Sequence, residues 1–478
     1  MTVLVRLLEI LLEGFNYVVL AYFLLLNFFY LLTTIFAFFA LRSYARRMEA
    51  VDLQSLIAKA GVPPVTLFAP AYNEEATCVE SIRALLVLNY PEYEVLVIND
   101  GSKDSTMEQL TKAFELKPAP RYQVAHIDAA AVRGIYRSDY QPNLWVIDKE
   151  NGGKADALNV GINYCRTPLF CAMDADSILE RDALIRIVRP FLEDANTVAA
   201  GGIIRIVNDC TLQRGTITKI RLPKNIWAKF QVLEYLRAFL SGRMGWSALK
   251  ATLIISGAFG MFRRSAVVAV GGYAHDTVGE DMELVVKLHR YHLERKLPYT
   301  ISFVPDPVAW TECPESTKIL GRQRDRWQRG LFEVLSRHRV MLLNPKYGRI
   351  GMFAFPYFYF LEMLGPAIEM PGYITFLIAV IWGSISYTYM LAFFVVAFVF
   401  GVTLSLFSVA LEELTFRRYP RTRDLFQLFF LAIIENFGYR QLTIYWRIHG
   451  FISALRKVEG WGKMERKGFA TSPEDSSD

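Results

Sequence analysis

The chain has 478 residues, of which 53% are hydrophobic and 21% charged, and it carries a formal net charge of +6. Soluble domains average about 45–50% apolar and ~25% charged residues, so this composition fits a sizeable soluble domain with a few apolar spans attached. The 14% aromatic content excludes a largely disordered chain. Five cysteines without a CxxC pair indicate a reducing compartment and no structural zinc. The positive charge gathers beside the apolar segments instead of forming one stripe, which argues against nucleic acid as a partner.

The first apolar region, residues 14–41, contains no charged residue. A helix of this length rises about 42 Å, enough to cross a hydrocarbon core of ~30 Å, and it exceeds the apolar part of a signal peptide. We therefore predict an amphipathic segment at 1–13 and a transmembrane helix at 14–42. Because Arg42, Arg46 and Arg47 follow directly, the positive-inside rule places the next part of the chain in the cytoplasm.

Residues 60–345 alternate short apolar runs with amphipathic helical runs. The predicted buried strands are Val65–Ala69, Tyr93–Ile98, Leu144–Ile147 and Leu169–Met173. The predicted helices are Thr77–Leu88, Ser105–Phe114, Lys154–Tyr164 and Arg181–Leu192. This alternation predicts a doubly wound, Rossmann-like α/β sheet, whose ligands bind beyond the carboxyl ends of its strands.

Polar clusters follow all four predicted strands, at residues 71–75, 99–102, 151–156 and 174–176. Each cluster alone has a structural explanation, because Asp-Gly-Ser forms turns and Glu-Glu can begin a helix. Four such clusters on one edge of one sheet instead predict a ligand site.

A second apolar region follows Arg349, and we predict a transmembrane hairpin at 350–411. A third apolar stretch, residues 425–448, is interrupted by Glu435, Asn436 and Arg440. The arginines before it mark a cytoplasmic loop, so a full span would place the basic tail, residues 449–478, on the outside. We therefore predict a re-entrant or interfacial helix at 425–448, with a transmembrane helix as the alternative, and a cytosolic basic tail.

The ordered motifs resemble those of the family-2 glycosyltransferases, most closely the membrane-integrated processive branch that makes cellulose, hyaluronan and poly-N-acetylglucosamine. Residues 323–327 read Q-R-D-R-W and fit Q-x-x-R-W, within a predicted interfacial segment at 315–345. Residues 279–281 read G-E-D and are similar to the (T/G)-(E/D)-D motif. The resemblance implies a cytosolic GT-A-type α/β domain inserted between N-terminal and C-terminal transmembrane segments.

The resemblance also implies roles for particular residues. The nucleotide-sugar residues would be Tyr72, Asn73, Glu74, Asp100, Lys154, Asp156, Asp174, Gln323 and Arg326. Asp281 would be the general base with Glu280 beside it, and the acceptor side would comprise Ser256, Gly257 and Trp327. Asp174 and Asp176 lie two residues apart on one face of a strand end, where they would hold Mg²⁺ or Mn²⁺ against the donor diphosphate.

The implied enzyme is an inverting hexosyltransferase, a multi-pass protein of the inner (plasma) membrane with a cytoplasmic catalytic domain. It would polymerise a sugar from a UDP-sugar donor into an exopolysaccharide and move the product across the membrane. Two alternatives stay open: a single addition to a lipid-linked acceptor, and an inactive receptor or secretion scaffold. The loop that contains Ser256 and Gly257 corresponds to the family's acceptor loop but lacks its cysteine. A channel built with only one N-terminal span would be narrow. Besides the growing polysaccharide and membrane lipids, we therefore expect a second copy or an export partner.

Overall fold

A single long helix, α1 (Thr2–Ala50), begins the chain. The computed structural model describes residues 2–50, 61–174, 177–213, 216–382, 386–419 and 421–456. The part of α1 from Ile10 to Met48 is long and apolar enough to cross a membrane. No proline interrupts α1, so the predicted segments 1–13 and 14–42 are parts of one continuous helix.

Within the described residues, a ten-stranded sheet forms the centre of the soluble domain. The strands are β1 (Val65–Ala71), β2 (Tyr93–Asp100), β3 (Leu116–Pro118), β4 (Val132–Ser138), β5 (Leu144–Lys149), β6 (Leu169–Met173), β7 (Ser177–Leu179), β8 (Thr197–Ile206), β9 (Thr211–Gln213), β10 (Thr216–Lys219), β11 (Phe259–Arg263) and β12 (Thr300–Thr311). The spatial order is β3-β4-β5-β2-β1-β6-β11-β8-β12-β7, and β9 pairs with β10 apart from it. The four strands predicted from the sequence are β1, β2, β5 and β6, which pair in parallel as expected.

The sheet is mixed, because β11 runs antiparallel between β6 and β8. Phe259 of β11 pairs with Met173 of β6, so the loop before β11 lies beside the carboxyl end of β6. This reversal brings the Ser256–Gly257 loop to the edge where the polar clusters gather. The helices predicted between the strands are confirmed with shifts of up to two residues at their ends: α2 (Cys78–Leu86), α3 (Thr106–Phe114), α4 (Lys154–Tyr164) and α5 (Ala183–Glu193).

A continuous helical run joins the soluble domain to α1. The run comprises α6 (Ile226–Tyr235), a π-helical segment (Leu236–Gly242) and α7 (Arg243–Ala248). Gly245 of α7 is so close to α1 that a Cβ atom there would lie 2.2 Å from the carbonyl oxygen of Thr33. The soluble domain is therefore packed directly against the N-terminal helix.

The remaining helices of the soluble domain are α8 (Arg264–Ala269), α9 (Glu280–Arg295) and α10 (Thr317–Arg337). After them come π-helical turns (Ile350–Ala354 and Tyr357–Met363), α11 (Gly365–Ile381), α12 (Tyr387–Phe394), a third π-helical turn (Val395–Val399) and α13 (Phe400–Thr415). Among the described residues, Tyr387–Thr415 is the second helix long and apolar enough to cross a membrane. The pair Ile350–Met363 and Gly365–Ile381, bent by 42°, would add a third if it forms one span.

The predicted single helix at 425–448 is wrong in its continuity. The structure has two helices, α14 (Thr422–Ile434) and α15 (Tyr439–Leu455), separated by a turn at residues 435–438. Glu435 is fully buried in this turn, where its carboxylate pairs with Arg237 and accepts a hydrogen bond from Ser405 at 2.5 Å. Gly438 supplies the positive φ of 113° that reverses the chain. The predicted tail begins inside α15, and its residues 457–478 lie outside the described part of the chain.

Helix α10 holds the loop that precedes α9. Glu333 accepts hydrogen bonds from the Thr277 hydroxyl at 2.8 Å and the Val278 amide at 3.0 Å. Gly330 meets Gly279 backbone to backbone, since a Cβ at Gly330 would lie 2.9 Å from the Gly279 Cα. Residues 326, 330 and 333 share one helix face, so Arg326 lies one turn from this contact on the side that faces the loop.

We predict that Gly330→Ala separates α10 from the loop and lowers both the melting temperature and the transfer rate. The added methyl meets rigid backbone and has no flexible side chain to displace. The measurements are thermal unfolding in detergent and the rate of sugar transfer. Gly14→Ala in α1 is the control, because its Cβ meets nothing within 4 Å. Wild-type behaviour of both variants would show that the close packing is not required.

Candidate active site

A buried lysine organises the edge of the sheet. Lys149, the last residue of β5, is 0% exposed, and its ammonium pairs with the carboxylates of Asp100 and Asp156. Asp100 ends β2 and Asp156 lies in the first turn of α4, where the Lys149–Asp156 distance is 2.6 Å. Sequence reasoning missed Lys149, because it belongs to no recognised motif and follows an apolar run.

Asp100 also holds the loop between β5 and α4. Its carboxylate accepts hydrogen bonds from the amides of Gly152 at 3.0 Å and Gly153 at 2.8 Å, and from the Asn151 side chain at 3.1 Å. Gly101 has a φ of +65°, and a Cβ there would lie 2.7 Å from the Asn151 nitrogen. The structure thus uses Asp100 to position this loop, and the predicted contact of Asp100 and Asp156 with a nucleotide stays a prediction.

Lys154 stands at the start of α4 and connects three parts of the site. Its ammonium pairs with Asp174, which directly follows β6, and lies 3.6 Å from Glu280. The Gly257 carbonyl oxygen is 3.5 Å away. One cation therefore joins the β6 edge, the loop before β11 and the start of α9.

The Gly-Glu-Asp motif forms the N-terminus of α9. Gly279 is the N-cap, so Glu280 and Asp281 lie inside the first turn of the helix. The Asp281 carboxylate accepts hydrogen bonds from the Gly257 amide at 3.0 Å and the Met282 amide at 2.7 Å. Glu280 is buried, and this burial raises its pKa to about 7, although the positive charge of Lys154 lowers it. Glu280 therefore gains its negative charge near pH 7, directly beside Asp281 at the helix N-terminus.

Of the predicted metal pair, Asp174 lies at the site and Asp176 falls outside the described residues. The Asp174 side chain is 33% exposed, which leaves it accessible to a ligand. No cluster of three or more His, Cys, Asp or Glu side chains that could hold a metal ion occurs among the described residues. Mg²⁺ and Mn²⁺ bound with substrate phosphates need only one or two protein carboxylates, so the exposed Asp174 fits such an ion.

The loop after β1 is fixed to the loop after β2. Asn73 adopts a φ of 54°, and its side chain accepts a hydrogen bond from the Lys103 amide at 2.8 Å. The Glu74 amide donates to the Thr106 hydroxyl at 2.9 Å. Tyr72 remains 44% exposed beside them. These contacts bring the predicted residues 72–74 to the same edge as Asp100.

The Q-x-x-R-W residues share one face of α10. Gln323 and Arg326 are half-buried, and Trp327 is 40% exposed. The neighbouring Arg324 is buried and pairs with Glu234 at 2.6 Å. Its guanidinium lies over the Trp327 ring, 4.2 Å from the ring centre, and donates a hydrogen bond to the Gln323 side chain at 3.2 Å. Arg324 and Glu234 are further residues that the sequence did not single out, and Arg324 contacts the tryptophan ring directly.

Comparison with known proteins identifies the family. The model described as Glycosyl transferase family 2 matches residues 66–270, and the one described as Glycosyl transferase family group 2 matches residues 169–416, more than half of the chain. The chain is a family-2 glycosyltransferase. The family and enzyme class predicted from the motifs are therefore confirmed.

The curated relatives of this family-2 glycosyltransferase include polysaccharide synthases. A poly-beta-1,6-N-acetyl-D-glucosamine synthase of Staphylococcus aureus (strain COL) is 30% identical over 282 residues, which is 59% of this chain and 58% of the relative. The synthase of the same name from Staphylococcus epidermidis is 29% identical over 276 residues, or 58% of this chain and 56% of the relative. The chain thus spans less than two thirds of their length.

A solved structure confirms the fold of this glycosyltransferase. The mannosyltransferase PcManGT from Pyrobaculum calidifontis matches with a TM-score of 0.51 and 18% identity, covering 91% of this chain and 100% of that one. The likeness supports the predicted GT-A-type α/β domain with helical segments on both sides.

We predict that Lys149→Met destabilises the enzyme strongly. The substitution leaves two buried carboxylates without their cation, and breaking a buried pair costs about 3–5 kcal/mol. The melting temperature in detergent should therefore fall by several degrees. Lys117→Met is the control, because its pair with Asp139 is solvent-exposed and contributes little. An unchanged melting temperature in Lys149→Met would show that the carboxylates do not need the lysine.

We predict that the transfer rate rises with pH around pH 7 and that Glu280→Gln flattens this rise. As the pH increases through the raised pKa of about 7, Glu280 becomes negative, and its charge favours movement of the acceptor's proton toward the neighbouring Asp281. The measurement is the initial rate from about pH 6 to pH 8 at saturating donor. Glu294→Gln, at the other end of α9, should keep the wild-type profile. The same inflection in Glu280→Gln would assign it to another group.

Proposed function

We propose that this glycosyltransferase polymerises a sugar from a UDP-sugar donor and moves the product across the inner membrane. The observation that carries the proposal is the meeting of Asp281, Lys154 and Asp174 at one edge of the sheet. The relatives' name favours N-acetylglucosamine as the first sugar to test. The mannosyltransferase with a similar fold was solved in complex with GDP-Man and Mn²⁺, which supports a nucleotide sugar and a divalent ion as ligands.

In this proposal the chain's residues carry out one inverting displacement. Asp281 accepts the proton of the acceptor hydroxyl while that oxygen attacks the anomeric carbon of the donor. The bond from that carbon to the diphosphate oxygen breaks, and UDP leaves. A divalent ion bound at Asp174, with Asp176 as the second predicted ligand, would neutralise charge on the diphosphate. The guanidinium of Arg326 would bind the same leaving group.

A polar cluster among the C-terminal helices supports translocation. Glu362 pairs with Arg447 at 3.2 Å, and Arg447 donates to the Gln328 side chain of α10 at 3.0 Å. Deeper along α11, Glu369 is buried and accepts a hydrogen bond from the Tyr22 hydroxyl of α1 at 2.5 Å. Ionisable groups inside a membrane are costly and typically mark a substrate path. Through the contact of Arg447 with Gln328, this cluster begins beside α10, the helix that carries Trp327, where an elongating product would leave the site.

Reconstitution tests the proposed function. The full chain in lipid nanodiscs is incubated with UDP-N-acetylglucosamine and a panel of other UDP-sugars, and UDP release and product length are measured. We expect metal-dependent UDP release and long products with one sugar, with both lost in excess EDTA. A product one sugar longer than a lipid acceptor would instead indicate single addition, and no UDP release with any sugar would indicate a scaffold. In sealed proteoliposomes, translocation predicts that the polymer accumulates on the side opposite the donor.

We predict that Asp281→Asn lowers the transfer rate by at least about two orders of magnitude, because general bases contribute typically ~10²–10⁴-fold. UDP affinity should stay near the wild-type value, since the amide keeps the shape of the carboxylate. The measurements are transfer rate and UDP affinity by calorimetry. Trp327→Ala is the companion variant, which should shorten the product while UDP still binds. Polymer formation by Asp281→Asn at the wild-type rate would contradict the base assignment.

A further inference from the structure

One exposed face of α1 is apolar for several turns and then ends in arginines. Spacings of three or four residues place its apolar side chains in one row along the helix. The row consists of Leu24, Phe28, Leu31, Ile35 and Phe39, each 40–63% exposed. At a rise of 1.5 Å per residue it is about 22 Å long. Arg42 and Arg46 continue the same spacing and are exposed as well, so positive charge follows directly on the apolar row.

Two cavities lie at the charged end of this row. The larger, about 530 Å³, is lined by α1 alone, through Phe39, Arg42, Ser43, Arg46 and Arg47. The smaller, about 310 Å³, lies between α1, α5, α7 and β12, and its lining includes Arg186 and Arg189 of α5. Ser43 and Arg47 line both cavities, so the two adjoin. The exposed row of α1 therefore leads to a space that borders the α/β domain.

The positive charge available to a ligand is on α1. The two arginines of α5 are each paired with a carboxylate, Arg186 with Glu180 at 2.7 Å and Arg189 with Glu193 at 3.2 Å. The three arginines of α1 form no ion pair with any residue that the structure describes. A guanidinium presents a planar fork of donors that fits phosphate oxygens, and basic cavities beside membrane helices bind anionic head groups.

We propose that this site binds an anionic phospholipid, with its phosphate at Arg46 and Arg47 and an acyl chain along the apolar row of α1. The Arg189 guanidinium of α5 lies over the Tyr44 ring of α1, 5.6 Å from the ring centre, so α5 contacts α1 beside the smaller cavity. A lipid bound there would strengthen the attachment of the α/β domain to the N-terminal helix. The inference goes beyond the proposed function, because none of these residues belongs to the candidate active site.

The test measures lipid binding by native mass spectrometry of the full chain in an uncharged detergent. Phosphatidylglycerol and phosphatidylcholine with the same acyl chains are titrated, and the melting temperature is followed in parallel. We expect phosphatidylglycerol to bind more tightly and to raise the melting temperature more. The double variant Arg46→Gln, Arg47→Gln should weaken phosphatidylglycerol binding by about fivefold for each arginine, and so at least about tenfold in total. Its affinity for phosphatidylcholine should not change.

The matched control is the double variant Arg421→Gln, Arg423→Gln at the start of α14. Both arginines are exposed and line neither cavity, so this variant should keep the wild-type affinity for phosphatidylglycerol. An equal loss in the control would show that general surface charge attracts the lipid, which overturns the proposal. If the first double variant does not fold, Arg42→Gln decides, and wild-type affinity in that variant also overturns the proposal.

The remaining outcomes distinguish other occupants of the site. Equal affinity for the two lipids would contradict recognition of the anionic head group. Inorganic phosphate that raises the melting temperature as much as phosphatidylglycerol would assign the site to a free phosphate compound. A pair of chains without bound lipid in the mass spectrum would show that a second copy covers the face. Lipid binding is measured without donor or acceptor, so its result is independent of whether the enzyme makes a polymer.

Discussion

The ion pairs of Lys149 are the constraint on which the rest of the site depends. A buried ammonium is costly unless it is paired and hydrogen-bonded, and Lys149 is paired by Asp100 and Asp156, which converge on the end of β5. Asp100 in turn binds the amides of Gly152 and Gly153, which sets the start of α4. Because α4 begins there, Lys154 reaches Asp174 and the start of α9. One buried charge thus fixes the spacing between three strand ends.

A continuous series of contacts connects this edge to the C-terminal helices. The Asp281 carboxylate accepts a hydrogen bond from the Gly257 amide. The loop before α9, which carries Asp281, packs on α10 where Gly279 meets Gly330. Two residues before Gly330 on α10, the Gln328 side chain accepts a hydrogen bond from Arg447 of α15, and Arg447 also pairs with Glu362. Asp281, helix α10 and the pair of Glu362 with Arg447 are therefore parts of one packed unit. Such an arrangement suits an enzyme whose product leaves beside its catalytic groups.

The sequence predicted the parts that depend on local pattern. Apolar runs and helical spacing indicated β1, β2, β5, β6 and the helices between them, since these signals lie within a dozen residues. Ion pairs between residues far apart in the chain could not be predicted from the sequence. The break at residues 435–438 depends on Arg237, 198 positions away, which neutralises Glu435 inside an apolar stretch. Lys149 was missed for a related reason, because its two partners come from separate elements, strand β2 and helix α4, and no motif includes it.

Buried ion pairs also limit how the α/β domain can move against the C-terminal helices. Arg205 of β8 pairs with Glu412 of α13 at 2.7 Å, and Arg237 pairs with Glu435 beside the same helix. Separating either pair would leave an uncompensated buried charge, at a cost of about 3–5 kcal/mol each. The sheet and α13 are therefore expected to stay in register during a catalytic cycle. If the product is translocated as proposed, it would move past helices that stay fixed to the sheet, and Trp327 would be one of the side chains that hold the acceptor.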